Sequence, residues 1–156
     1  MDVQAIFGLQ FLLSLIIISF LMKWIASPWL NKQSLNQALF WLTIPHAFRH
    51  IGMSFLVPGL LVQPLPSNFA LPAAYGDLAA GLLAFLVLIS LHYKWGFALI
   101  LVWIFNIIGF IDLLNALRHA EVVPYFGAAW YIPTFLVPLL LVTHVMIFVR
   151  LIKKKS

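Results

Sequence analysis

The stretch Ala5–Met22, AIFGLQFLLSLIIISFLM, runs for eighteen residues without a charge. At ~1.5 Å per residue, about 20 apolar residues carry an α-helix across a ~30 Å hydrocarbon core. No water is available there, so the backbone must satisfy its own donors and acceptors, and a helix does so within one segment. A cleavable signal peptide fits less well. No Lys or Arg precedes the run, Asp2 is acidic, and the run exceeds the ~7–15 apolar residues of a signal sequence. The stretch reads as a retained first span over about 4–25, ending at Lys23–Trp24.

Four more apolar runs follow, over about 37–60, 72–92, 97–117 and 130–150. The chain has 156 residues, 64% of them hydrophobic and 8% charged, whereas a soluble domain carries about 25% charged residues. So few charges cannot cover a water-facing surface, so the lipid bilayer is the first partner. The sequence predicts an all-α membrane protein, a compact bundle of about five transmembrane helices forming a single domain over 1–156.

Orientation comes from the loops. Lys23, Lys32, Lys94 and the cluster Arg150, Lys153, Lys154 and Lys155 fall on one side of the spans; Asp2, Arg118 and Glu121 fall on the other. Lys and Arg accumulate on the cytoplasmic side, which predicts the N-terminus outside and the C-terminus inside. The basic end suits anionic headgroups. No basic stripe with interleaved aromatics lies outside the spans, which argues against nucleic acid. The chain has no cysteine, so disulfides, thiolate metal sites and a cysteine nucleophile are excluded.

Other features concern packing. Gly76, Ala80 and Ala84 repeat at four-residue spacing, which lets helices approach closely and predicts a central third span. Pro58, Pro64, Pro66 and Pro72 mark an extracytoplasmic loop, because proline removes a backbone donor. Trp24, Trp29, Trp95, Trp130 and Tyr131 lie near span ends, where amphipathic rings favour the headgroup level.

The second span carries the chemistry. In WLTIPHAFRHIGM (Trp41–Met53), the residues Thr43, His46, Arg49, His50 and Met53 fall on one helical stripe. Such a stripe is costly against lipid and should face the bundle interior. Pro45 frees the carbonyl of Trp41 and should kink the helix beside His46. Arg49 stays charged and needs acceptors; Asp77 and Asp112 are the candidates. One arginine against two aspartates leaves one carboxylate poorly neutralised. Asn106 lies off the Asp112 face and reads as a hydrogen bond to another helix. His144 in the fifth span falls about one helical turn from the depth of His46.

Three functions follow. The first is a polar site of His46, Arg49, His50, Asp77, Asp112 and His144 that binds, senses or moves a small-molecule ligand or proton. The second is a membrane redox subunit holding haem b, with His46 and His144 as the metal's axial ligands. The third is an accessory subunit whose polar residues only fix packing against a membrane-protein partner or a second copy. The sequence has no HExxH, since Ala47, Phe48 and Arg49 separate His46 from His50, and no GxSxG, P-loop or dinucleotide fingerprint.

In length, helix number and tryptophan content the chain resembles the tryptophan-rich sensory proteins, which bind porphyrins and sterols. That resemblance lies in size and composition and carries no residue role across. The strings PHAFRHIG, PAAYGDLAAG and WYIPTFLVPLLLVTH resemble small bacterial membrane proteins, which implies a multi-pass protein of the bacterial inner (plasma) membrane.

Overall fold

A computed structural model describes residues 2–153, and every regular element among them is helical. The chain is an integral membrane protein. Four helices are long and apolar enough to cross a bilayer: Val3–Leu30, Ser67–His92, Ala98–Ala116 and Gly127–Lys153.

Prolines shape two of them. Helix α1 (Val3–Leu21) passes through a π turn, Met22–Ala26, into the short α2 (Ser27–Leu30). The Ser27 N–H bonds the Met22 carbonyl, five residues back. Pro28 follows immediately; it has no N–H to offer Trp24, and its ring pushes that carbonyl aside. The last helix repeats the device. A π turn at Ile132–Leu136 leads into α6 (Val137–Lys153), and Val137 N–H bonds the Ile132 carbonyl just before Pro138.

Helix α3 (Leu35–Ala47) begins at Ser34, whose hydroxyl accepts from the Gln37 N–H while the Gln37 side chain accepts from the Ser34 N–H. This reciprocal cap satisfies two donors that a helix start leaves open. Past Pro45 the α-helix lasts only to Ala47, and the chain continues as a 3₁₀ helix, Phe48–Leu56. The second apolar run is therefore an α-helix joined to a 3₁₀ helix, where the sequence predicts one kinked α-helix. The change of period matters. A 3₁₀ helix has 3.0 residues per turn and aligns i with i+3. Thr43, His46, Arg49, Gly52 and Phe55 are all buried, at every third position. His50 lies off that line and is exposed.

Helix α4 (Ser67–His92) starts before Pro72, earlier than the proline pattern predicts. Its first turn is held by the Pro66 carbonyl, which accepts from Phe69 and Ala70. Phe69 and Ala70 in turn pack with Phe55, Val122 and Phe126. This packing outweighs the one bond that Pro72 removes. Ala74, Ala80, Gly81 and Ala84 are buried along α4, which packs on α3, on the 3₁₀ segment and on α5 (Ala98–Ala116).

The two ends differ in charge. The Asn31 side chain accepts from Arg150, and Ser34 and Lys94 border one hollow, so Lys32, Lys94, Arg150 and Lys153 gather at one end. At the other, Phe7 packs on Phe126 and Trp130, the Trp130 indole donates to Gln10 at 2.6 Å, and Ala128 N–H bonds the Leu60 carbonyl. An apolar cluster lies toward each end: Leu39, Leu42, Val102, Phe105 and Ile147 at the basic end, and Phe55, Phe69, Val122, Phe126 and Ile132 at the opposite end. His46, Arg49, Asn106, Thr143 and His144, all buried, lie between them in chain order.

Candidate functional site: a buried His–Arg–Asp centre

Arg49 is the hub. Its side chain is wholly inaccessible, and it reaches acceptors on two helices, α4 and α5. Nε donates to Asp77 Oδ1 at 2.8 Å, Nη2 contacts the same oxygen at 2.7 Å, and Nη2 donates to Asp112 Oδ2 at 2.5 Å. Nη1 donates to the Gly109 carbonyl at 3.0 Å. A guanidinium has five N–H donors in a fixed fork, and three of them make these hydrogen bonds. Arg49 thereby ties the 3₁₀ segment to α4 and α5.

Glycines make the approach possible. A β-carbon on Gly52 would overlap the Asp77 carboxylate, and one on Gly76 would lie 2.7 Å from Asp112 Oδ1. A β-carbon on Gly109 would lie 2.9 Å from His144 Cε1 and 3.1 Å from Arg49 Nη1. Each missing side chain is the space a polar group occupies. Sequence reasoning does not assign these three glycines to the site. Their only sequence signal is position: Gly52 follows Arg49 by three residues, and Gly76 and Gly109 lie within three residues of the aspartates.

Two histidines lie behind the arginine. The His46 and His144 rings are in direct contact, with centroids 4.1 Å apart, and Phe105 packs against both. His144 Nδ1–H donates to Asn106 Oδ1 at 2.7 Å, while the Asn106 amide donates to the His144 carbonyl. His46 Nε2–H donates to Thr143 Oγ1 at 2.9 Å, whose own proton goes to the Leu139 or Leu140 carbonyl. These tautomers follow from the partners. They leave His46 Nδ1 and His144 Nε2 buried without a partner. A buried acceptor left unmade costs on the order of 1–3 kcal/mol.

The centre opens toward the less basic end. A cavity of about 90 Å³ is lined by Asp77, Asp112 and His119 together with apolar side chains such as Phe69, Leu113 and Phe126. Asp77 and Asp112 retain 16% and 32% side-chain exposure. His46 and His144 do not line this cavity. At its rim His119 Nδ1 meets Glu121 Oε1 at 2.8 Å, and this hydrogen bond holds the exposed Glu121 carboxyl below the usual carboxylate range.

The structure brings together His46, Arg49, Asp77, Asp112 and His144 and leaves His50 outside. The exposed His50 ring turns back to the Ala47 carbonyl, because a helical stripe of period 3.6 does not survive the 3₁₀ turn. Asn106 joins α5 to α6, as its position off the Asp112 face implies. The haem arrangement does not fit. Axial histidines must stand on opposite faces of a porphyrin with iron between them, and two imidazoles in van der Waals contact leave no room for the plate. Among the described residues, no three His, Asp or Glu side chains form a metal-binding group.

No curated protein and no solved structure matches the chain. One family model matches residues 6–152. The chain belongs to that family, described as a domain of unknown function, DUF8737.

Proposed function

We propose that this polytopic membrane protein binds a proton or a small cation, delivered from the extracytoplasmic side, at the Arg49–Asp77–Asp112 centre. The observation that carries this reading is the charge balance. One guanidinium faces two carboxylates that border a cavity, so the pair, when both are ionised, carries one negative charge more than Arg49 offsets. In a site of low dielectric such an imbalance draws a cation. Binding or sensing fits better than conduction. Arg49 and the apolar cluster around Leu42, Val102 and Ile147 close the path toward the basic end.

In this reading the basic end faces the cytoplasm, the N-terminus lies outside, the C-terminus lies inside, and Leu35–Leu56 makes a fifth crossing. The test is infrared difference spectroscopy of the protein in lipid nanodiscs between pH 8 and pH 5. A carboxyl stretch that appears on acidification and vanishes in Asp77→Asn or in Asp112→Asn supports the site, as does a Tm rise with small ammonium ions that either variant loses. Neither change in the native protein would overturn it.

A second reading is favoured by the three hydrogen bonds through which Arg49 joins two helices. Here the cluster is a lock that holds α4, α5 and the 3₁₀ segment in register within an accessory subunit. A partner copurifying in fixed ratio, with no ligand-dependent change in Tm, distinguishes it.

A further inference from the structure

Helix α1 is peripheral, with most of its length unburied, and a groove runs between it and the α5–α6 face. Leu15, Ser19, Met22 and Lys23 form one wall; Phe110, Val142 and Val145 belong to the other. On α6 the residues Val142, Val145, Met146, Val149, Arg150 and Lys153 follow i, i+3, i+4, i+7, i+8, i+11, a single helical stripe. The groove holds about 490 Å³, within the roughly 300–1,000 Å³ of small-molecule sites.

The groove changes character along its length. Toward the middle of the bundle its lining is almost wholly apolar. Toward the basic end it merges, through the shared residues Ser27, Val145 and Met146, with a second hollow of about 480 Å³. Asn31, Arg150 and Lys153 line that hollow, and Lys23 lines the groove beside it. Arg150 is pre-positioned, with Nη2 donating to Asn31 Oδ1 at 3.0 Å. No acidic side chain lines either hollow; the chain's four acidic residues are Asp2, Asp77, Asp112 and Glu121. The π turn Met22–Ala26 lies at the junction, and π turns recur at functional sites.

An apolar slot ending in three cations at headgroup level describes one kind of occupant. We propose that this groove binds a glycerophospholipid with an anionic headgroup from the leaflet at the basic end. An acyl chain lies along Leu15, Phe110 and Val142, and the phosphate is held by Lys23, Arg150 and Lys153. Charge complementarity argues for this occupant over a second copy of the chain, whose matching surface would be equally basic. The site shares none of the polar residues of the Arg49 centre and stands independently of the function proposed for it.

The experiment is native mass spectrometry of the delipidated full-length protein, titrated with phosphatidylglycerol and with phosphatidylcholine of the same acyl chains. One bound phosphatidylglycerol should be retained with a preference of at least about tenfold, given roughly fivefold per basic side chain near a charged headgroup. Lys23→Gln, which removes a side chain without a hydrogen-bond partner of its own, should reduce that preference severalfold. Lys23→Gln combined with Arg150→Gln and Lys153→Gln should abolish it. Val145→Trp, which fills the groove and leaves every cation in place, should lose the bound lipid. Equal retention of the two lipids overturns the proposal. Retention in Val145→Trp also overturns it, because the three cations alone would then suffice without the apolar slot. Displacement by inorganic phosphate at millimolar concentration, or a dimer mass that excludes lipid, overturns it in favour of a phosphate site or a self-interface.

Discussion

Arg49 donates through Nε to Asp77 Oδ1 at 2.8 Å, across a buried space that joins a 3₁₀ turn to the middle helix of the bundle. The contact is one arm of a three-way clamp, the other arms being Asp112 and the Gly109 carbonyl. A guanidinium suits this role because its rigid fork reaches acceptors in several directions at once. Replacing Arg49 by Met leaves two carboxylates facing each other without a cation. The expected loss is on the order of 3–5 kcal/mol, since removing one partner of a buried ion pair exposes the other's desolvation. Arg49→Met with Asp77→Asn should recover part of the loss, and adding Asp112→Asn should recover more. Unfolding in mixed detergent micelles measures all three. A double variant no more stable than the single would show that Asp77 is not the partner.

The closeness of α5 to the arginine and to α6 rests on a missing side chain. A β-carbon at Gly109 would lie 2.9 Å from His144 Cε1 and 3.1 Å from Arg49 Nη1. Neither neighbour can yield freely, because Asn106 pins the His144 ring and two aspartates pin the guanidinium. Gly109→Ala should cost about 1–3 kcal/mol, the usual range for overpacking. Gly96→Ala is the control, since nothing lies within 4 Å of a β-carbon there. Equal stability of the two variants would contradict the clamp.

The apolar runs and the partners of Arg49 are legible in the sequence because each follows from a single strong cost. Uncharged residues in lipid and an arginine away from water have few solutions. The facing of His50 is not legible in the same way. It depends on Pro45 passing the chain from 3.6 to 3.0 residues per turn, and the two periods assign i+4 to different faces. The start of α4 is hidden for a related reason. Pro72 signals a boundary locally, but burial of Phe69 and Ala70 carries the helix through it. The two histidines fall about one helical turn apart in depth by simple counting, yet only the structure shows the rings touching, a contact that leaves no room for a porphyrin between them.

At the cavity rim, the hydrogen bond from His119 holds the Glu121 carboxyl below its usual range. The sign follows by linkage. A carboxyl whose folded pKa is depressed adds stability above its ordinary pKa and loses it as pH falls through the folded value. Glu121 is fully exposed, so its effect on Tm should be small. Its titration is the sensitive readout. In carbon-13 NMR of the Glu121 carboxyl, His119→Ala should move the midpoint upward toward the ordinary glutamate value. An unchanged midpoint would remove His119 as the cause.

Whether Leu35–Leu56 crosses the bilayer decides the topology, because it is the helical segment between Ser34 and Ser67. The α-helix of 13 residues and the 3₁₀ helix of 9 would together extend on the order of 37 Å end to end, at ~1.5 and ~2.0 Å per residue. That is enough for a ~30 Å hydrocarbon core. Contacts place the two ends of the segment at opposite ends of the bundle: Ser34 borders a hollow with Lys94, while Phe55 packs on Phe126. Its backbone is tolerated at membrane depth because the polar stripe is turned inward against α4. Ser34→Cys and Ser67→Cys both lie at exposed positions. In intact cells, a membrane-impermeant maleimide should label the cysteine at 67 and reach the one at 34 only after permeabilisation. Labelling of both from outside would make Leu35–Leu56 a segment that returns to its own side. The chain would then have four crossings, and its two termini would share a face.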